Sequence, residues 1–237
     1  MYQGIKSPIF VALDIDNDQT ALNIAKQVEP FVGGFKVGPR LCLKYGAALI
    51  GKLAEMGHVF VDNKYFDIPS TMEHAIRATF ASGATFATVH AQAGSEALTR
   101  LAEVEKELNR ERPFRVLVVT VLTSFDQKGL PEFSSQMLIA KQVEVLAEIA
   151  INSGLSGLVC SAHEVVAVKA KFPNAFVVTP GIRLPEEEKS GMEDQKRVSA
   201  PKEALMAGAT ILVVGRPIIA AKNPVVAAEK FFEAAQF

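Results

Sequence analysis

Charge of neither sign dominates this chain: 25 lysines and arginines stand against 26 aspartates and glutamates in 237 residues, a net charge of −1. The basic excess of a phosphate-backbone binder is missing and no basic run exceeds Lys196-Arg197, which argues against nucleic acid as a partner. Apolar runs stop well short of the ~20 residues that span a bilayer. Met1 to Ser7 carries no apolar core of a signal peptide, so the expectation is a cytoplasmic protein without membrane association. Cysteine is scarce. Cys42 and Cys160 lie in apolar stretches without metal-ligand spacing, and both read as small buried hydrophobes. No Gly-x-Gly-x-x-Gly follows the first strand-like run, which weakens a dinucleotide-binding fold. No linker or low-complexity segment interrupts the chain, and residues 1–237 read as a single domain.

Hydrophobic residues make up 49% of the chain, enough for a sizeable core. Short runs rich in β-branched residues alternate with longer amphipathic stretches. The strand-like runs are 9–14, 34–37, 59–64, 86–90, 116–122, 157–160, 176–179 and 210–214, each bounded by turn residues. Helical spacing of apolar positions fills 20–28, 41–56, 71–81, 95–110, 137–153, 162–172, 202–207 and 225–235. Strands that alternate with helices imply right-handed crossovers and a parallel sheet. Eight such units in about 250 residues predict a closed (β/α)₈ (TIM) barrel.

A barrel of this kind carries its active site at the carboxyl ends of its strands, and polar residues collect there. Asp14 ends the first strand, Lys36 lies in the second, and Asp62 and Lys64 end the third. His90, Thr123, Ser124, Pro180, Gly181, Gly215 and Arg216 mark the ends of later ones. Side chains two apart on a strand share a face, so Asp62 and Lys64 point one way and Asn63 the other. Asp67 follows one short turn later. Charges at a partly desolvated strand end point to a site, because unpaired burial is costly and paired burial rarely improves on apolar packing. Gly215 and Arg216 sit directly after the last strand, where barrels frequently bind phosphate and where arginine adds a forked, permanently charged donor. The polar stretch between Arg183 and Arg197, without hydrophobic periodicity, reads as an active-site lid.

In this order the motifs resemble the orotidine 5′-phosphate decarboxylase family over nearly the whole chain. They are Ala12-Leu13-Asp14, Phe35-Lys36-Val37-Gly38, the Asp-x-Lys-x-x-Asp-Ile-Pro run from Asp62 to Pro69, Val89-His90-Ala91, Val121-Leu122-Thr123-Ser124, Val159-Cys160-Ser161-Ala162, Thr179-Pro180-Gly181-Ile182-Arg183, Asp194-Gln195 and Val214-Gly215-Arg216-Pro217. Two positions depart: Asn63 stands where many relatives carry an apolar residue, and Ser70 where they usually carry asparagine. The resemblance implies an alternating charge array of Lys36, Asp62, Lys64 and Asp67, with Asp67 supplied by the other subunit of a homodimer and Lys64 as proton donor. It implies that Asp14 and Thr71 hold the ribose, Thr71 again from the partner, and that Thr123, Gln195 and Arg183 close around the nucleotide. Gly215 and Arg216 then hold the phosphate, with Ile68 and Pro180 completing the binding set. No metal or cofactor is called for. His90 is expected to pack or hydrogen-bond inside the rim.

Three rivals are open to test. A Schiff-base lysine, as in aldolases acting on phosphorylated sugars, must be neutral to attack, and the flanking carboxylates raise the pKa of Lys64 instead. The related 3-keto-gulonate-6-phosphate decarboxylase group uses magnesium and needs a carboxylate from the second strand, where this chain has Lys36, a residue that repels a divalent cation. A catalytically silent phosphate-binding scaffold is the third.

Overall fold

β-Branched and aromatic residues make up most of the short strands in the computed structural model, which describes residues 4–185 and 197–236. The strands are β1 (Ile9–Ala12), β2 (Gly34–Val37), β3 (His58–Tyr65), β4 (Phe86–His90), β5 (Arg115–Val119), β6 (Gly157–Val159), β7 (Phe176–Pro180) and β8 (Ile211–Val214). Each pairs in parallel with the next, and β8 closes on β1 with Phe10 opposite Val213. The helices around this barrel are α1 (Asp18–Val28), α2 (Pro39–Ala54), α3 (Pro69–Ala81), α4 (Gly94–Leu108), α5 (Ile139–Asn152), α6 (Ala162–Lys171), α7 (Pro201–Met206), the single turn α8 (Arg216–Ile219) and α9 (Pro224–Ala234). The (β/α)₈ barrel expected from the alternation is the fold observed.

Helix starts show what local pattern reading misses. α2, α3, α7 and α9 begin at Pro39, Pro69, Pro201 and Pro224, one or two residues before the apolar periodicity sets in. Proline has no N–H to lose at the first helical position, and its fixed φ suits the turn. Strand ends differ for another reason. β1 stops at Ala12 and β5 at Val119, short of the expected 14 and 122, although Leu13 still donates to the Lys36 carbonyl at 2.9 Å and Thr120 to Val159 at 3.1 Å. An apolar run does not reveal where the neighbouring strand ceases to run alongside.

Alternate strand residues face the barrel interior, where Phe10, Phe60, Phe86 and Phe176 pack with Leu117 and Ile211. Phe86 is the hub, edge-on to Phe10 at 5.8 Å and stacked on Phe176 at 5.8 Å between ring centroids. This plug closes the barrel below the carboxyl ends of the strands and gives the site above it an apolar floor. The outward faces pack against the helices in a second, larger core. Cys160 is buried as expected, whereas Cys42 is only half-buried, its Sγ 3.8 Å from the Val37 carbonyl.

Candidate active site

Strand β3 runs through the charged residues rather than ending before them. Val61 lies opposite Ala87 and Tyr65 opposite Val89, so four residues of β3 advance against two of β4 and the segment between bulges out of the ladder. Inside the bulge Lys64 takes φ 49°, the one positive φ of a non-glycine among the described residues, a conformation that costs about 1–3 kcal/mol and persists only where neighbours hold it. The Lys64 N–H donates to Thr88 Oγ1 at 2.9 Å. Its ammonium donates to both oxygens of Asp62 at 2.9 Å. Asn63 points the other way, as expected, and donates to Tyr65 Oη at 3.0 Å.

The charges form a line. Asp14 Oδ1 lies 3.0 Å from Lys36 Nζ, Lys36 Nζ lies 3.4 Å from Asp62 Oδ2, and Asp62 Oδ2 lies 2.9 Å from Lys64 Nζ. Lys36 and Asp62, in the middle, have side chains only 11% and 12% exposed. Burial pulls the Lys36 pKa down, but Asp62 and Asp14 outweigh it and hold the pKa above the ordinary lysine value. Burial likewise pushes Asp62 up, and Lys36, Lys64 and the donors Lys64 and Thr88 bring it below the usual carboxylate range. Both inner members are therefore ionised. His90 lies against Phe66, ring centroids 5.8 Å apart and planes tilted by 36°, and burial first, then Lys64, lowers its pKa.

A cavity of about 460 Å³ opens over this line at the carboxyl ends of the strands, well within the size of small-ligand sites. Its floor includes Ala12, Phe60, Val178 and Val213. Of the residues singled out in the sequence, Asp14, Lys36, Asp62 and Lys64 line one part of the wall, and Thr123, Pro180, Arg183, Gly215 and Arg216 line the rest. Asp67, Ile68 and Thr71 do not line the cavity of their own chain; all three are exposed. Asp67 instead accepts from the Ile68 N–H at 2.7 Å. Within this chain the line thus begins at Asp14 and stops at Lys64. Gln195 and most of the expected lid lie outside the described residues.

Sequence reading missed two residues. Thr88 sat unremarked inside an apolar strand. Arg197 closes a polar stretch in sequence, yet it is buried, with Nη1 2.5 Å from Glu164 Oε1 and Nη2 donating to the carbonyls of Val121 at 3.3 Å and Leu122 at 3.1 Å. It thereby braces the segment leading to Thr123. Arg183 lies near it in chain topology, because Arg183 N–H donates to Ser199 at 3.0 Å and Ser199 N–H to Gly181 at 3.1 Å. Neither signal is local: each depends on a partner more than 20 residues away.

Residues 7–231 match the model of the orotidine 5′-phosphate decarboxylase / HUMPS family. A protein of Dichelobacter nodosus (strain VCS1703A) bearing the name orotidine 5′-phosphate decarboxylase is 41% identical over 205 residues, 86% of this chain and 87% of that one. Its namesake in Pseudomonas fluorescens (strain SBW25) is 38% identical over 205 residues, 86% of this chain and 87% of its own length. The crystal structure of orotidine 5′-phosphate decarboxylase from Lactobacillus acidophilus superimposes with a TM-score of 0.83 at 32% identity, covering 98% of this chain and 100% of that one.

Proposed function

The chain belongs to the orotidine 5′-phosphate decarboxylase / HUMPS family, and we propose that it acts on orotidine 5′-phosphate through Lys64, releasing carbon dioxide and leaving uridine 5′-phosphate. It is a carbon–carbon lyase of the decarboxylation step in pyrimidine biosynthesis. The observation that carries the assignment of Lys64 is its ammonium, gripped by Asp62 at 2.9 Å in the wall of an apolar-floored cavity.

Loss of carbon dioxide from C6 leaves a carbanion in the plane of the pyrimidine ring, which cannot delocalise into the π system. It needs a cation beside it. Lys64, paired with Asp62 at 2.9 Å, supplies that charge and then the proton, which is electrostatic stabilisation aimed at developing charge. Asp62 faces the departing carboxylate. Two like charges ~4 Å apart repel by ~4 kcal/mol at an effective dielectric near 20, whereas enzymes remove ~8–23 kcal/mol from a barrier. Repulsion therefore cannot carry the rate alone, and binding energy from the remote phosphate, used to close and dry the site, supplies the rest. Gly215 and Arg216 hold the phosphate, Arg183, Thr123 and Gln195 surround the nucleotide with Pro180, and Asp14 meets the ribose. Lys36, placed between Asp14 and Asp62, pairs with both and holds the line together.

The working unit is a homodimer with shared sites. Asp67 and Ile68 follow β3 on a short loop outside their own cavity, Thr71 lies in the first turn of α3 just after them, and Phe66 and Ile68 beside Asp67 are 60% and 64% exposed. Phe133 and Leu138, after β5, are 79% and 69% exposed, and Phe133 shares a groove with His90, which itself touches Phe66. Apolar side chains this exposed around the mouth favour burial against a second copy. The partner subunit's Asp67 then completes the array beyond Lys64, and the partner's Thr71 reaches the ribose. Incubation of the purified chain with orotidine 5′-phosphate tests the reading: uridine 5′-phosphate and carbon dioxide should appear in equal amounts, and an unconsumed substrate would end it.

A further inference from the structure

Thr88 is fully buried on β4, at an inward-facing position between Phe86 and His90. Its hydroxyl can donate once and accept as well, and both capacities are used in one direction only. The Lys64 N–H can only donate to it, at 2.9 Å, and the ionised Asp62 Oδ1 can only accept from it, at 2.9 Å. The bulge explains the need. Between Val61 and Tyr65 the β3 ladder is out of step with β4, so a side-chain oxygen, not a ladder carbonyl, satisfies the Lys64 N–H. The same atom fixes the carboxylate that grips the Lys64 ammonium.

We propose that Thr88 is a positioning residue for the decarboxylation: through one hydroxyl it holds Lys64 in its left-handed backbone conformation and orients Asp62, so that backbone, ammonium and carboxylate form a closed unit with one geometry. The proposal rests on the function assigned above. It deepens that function by adding a residue that does not itself line the cavity but bonds two residues that do. Around Asp62, the titratable groups that face it are Lys36 from β2, Lys64 from β3 and Cys42 from α2, with Asp14 behind Lys36 and His90 behind Lys64. None of these offers a hydrogen bond to the Lys64 backbone.

Thr88→Val keeps the shape and removes the hydroxyl, leaving a buried N–H and a carboxylate oxygen each short of a partner. Thr88→Ser restores the hydroxyl. For Thr88→Val, kcat with orotidine 5′-phosphate should fall about 10- to 100-fold, the worth of one bond to a charged group. Affinity for uridine 5′-phosphate, measured by calorimetry, should hardly change, and Thr88→Ser should recover most of the rate. Carbon-13 carboxyl NMR should show Asp62 titrating at higher pH in Thr88→Val than in the wild type or in Thr88→Ser. Wild-type kcat in Thr88→Val, or equal rate losses in the valine and serine variants, would overturn the proposal. If the wild type itself leaves orotidine 5′-phosphate untouched, it is the functional reading that fails, and the Asp62 titration, which needs no turnover, still decides whether Thr88 governs that carboxylate: an unmoved titration overturns the proposal. Should Thr88→Val not fold, Thr88→Ala makes the same comparison without the risk of a clash.

Discussion

Asp62 grips the ammonium of Lys64 through both carboxylate oxygens at 2.9 Å, from two residues away on the same strand. The lysine is thereby aimed, while Asp62 remains paired with Lys36 at 3.4 Å. Removal of Lys64 therefore leaves no uncompensated buried charge. Lys64→Ala should fold and still bind uridine 5′-phosphate, yet lose at least about 10⁴-fold in kcat, since it forfeits both the proton donor and the charge beside the carbanion. Unfolding curves and a progress assay check this; substantial turnover would remove Lys64 from the role.

Arg216 follows Gly215 on the cavity wall directly after β8. If it serves the phosphate, Arg216→Ala should lower kcat/KM for orotidine 5′-phosphate at least about 100-fold, as expected for lost bonds to a charged group. The slow reaction of the nucleoside lacking phosphate should hardly change. Equal losses with both substrates would mean that the arginine supports the barrel rim instead.

Sharing of the site is tested by mixing subunits. Asp67→Ala and Lys64→Ala are each expected to be nearly inactive, but a heterodimer joins one intact Lys64 to the partner's intact Asp67. Random reassortment makes about half the dimers mixed, each with one complete site, so activity should return to about a quarter of wild type per site under twofold symmetry. Verified exchange without recovery would show that Asp67 acts within its own chain.

Lys36 occupies the β2 position from which a magnesium-dependent relative would need a carboxylate. Exhaustive chelation should accordingly leave the decarboxylation rate unchanged. A rate lost to chelator and restored by magnesium would move the assignment toward the metal-using branch of related decarboxylases.

Away from the site, Glu105 of α4 is pushed up to about 7 by burial, against the Val116 N–H it accepts at 2.5 Å and the nearby Arg115. The folded state thus holds this proton more tightly than the unfolded chain does. Its contribution is fully present below the ordinary value of 4.5 and is lost as pH rises through about 7. Glu105→Gln should remove this slope, so the stability of the variant relative to wild type should rise by about 3 kcal/mol between pH 4.5 and pH 8. Denaturant titrations of both proteins at pH 4.5 and pH 8 decide it; a difference between them that is the same at the two pH values would contradict the prediction.

The charged run from Asp62 to Asp67 was legible because it is local: composition, period-two alternation and the strand–loop boundary all lie within a few residues. The place of Gly215 and Arg216 at the cavity wall was legible for the same reason, as were the alternating apolar runs that demand a parallel barrel. Thr88 was not. In a strand that reads Phe-Ala-Thr-Val-His it looks like any β-former, and its two bonds reach residues 24 and 26 positions away. Arg197 was not legible for an allied reason, since in sequence it only closes a polar stretch while its neighbours in space are Glu164 and two carbonyls after β5.

By itself, then, the sequence determined the element order, the barrel, and the ends of the strands at which charge would gather, because strand and helix periodicities and the cost of burying charge act over short stretches of chain. Only the tertiary structure decided the bulge that turns Lys64 to a positive φ, the order Asp14, Lys36, Asp62, Lys64 along the line, and the absence of Asp67 from the cavity of its own chain. Those depend on strand register and on which surfaces are dried by distant neighbours, and neither quantity is written in any window of residues short enough to read locally.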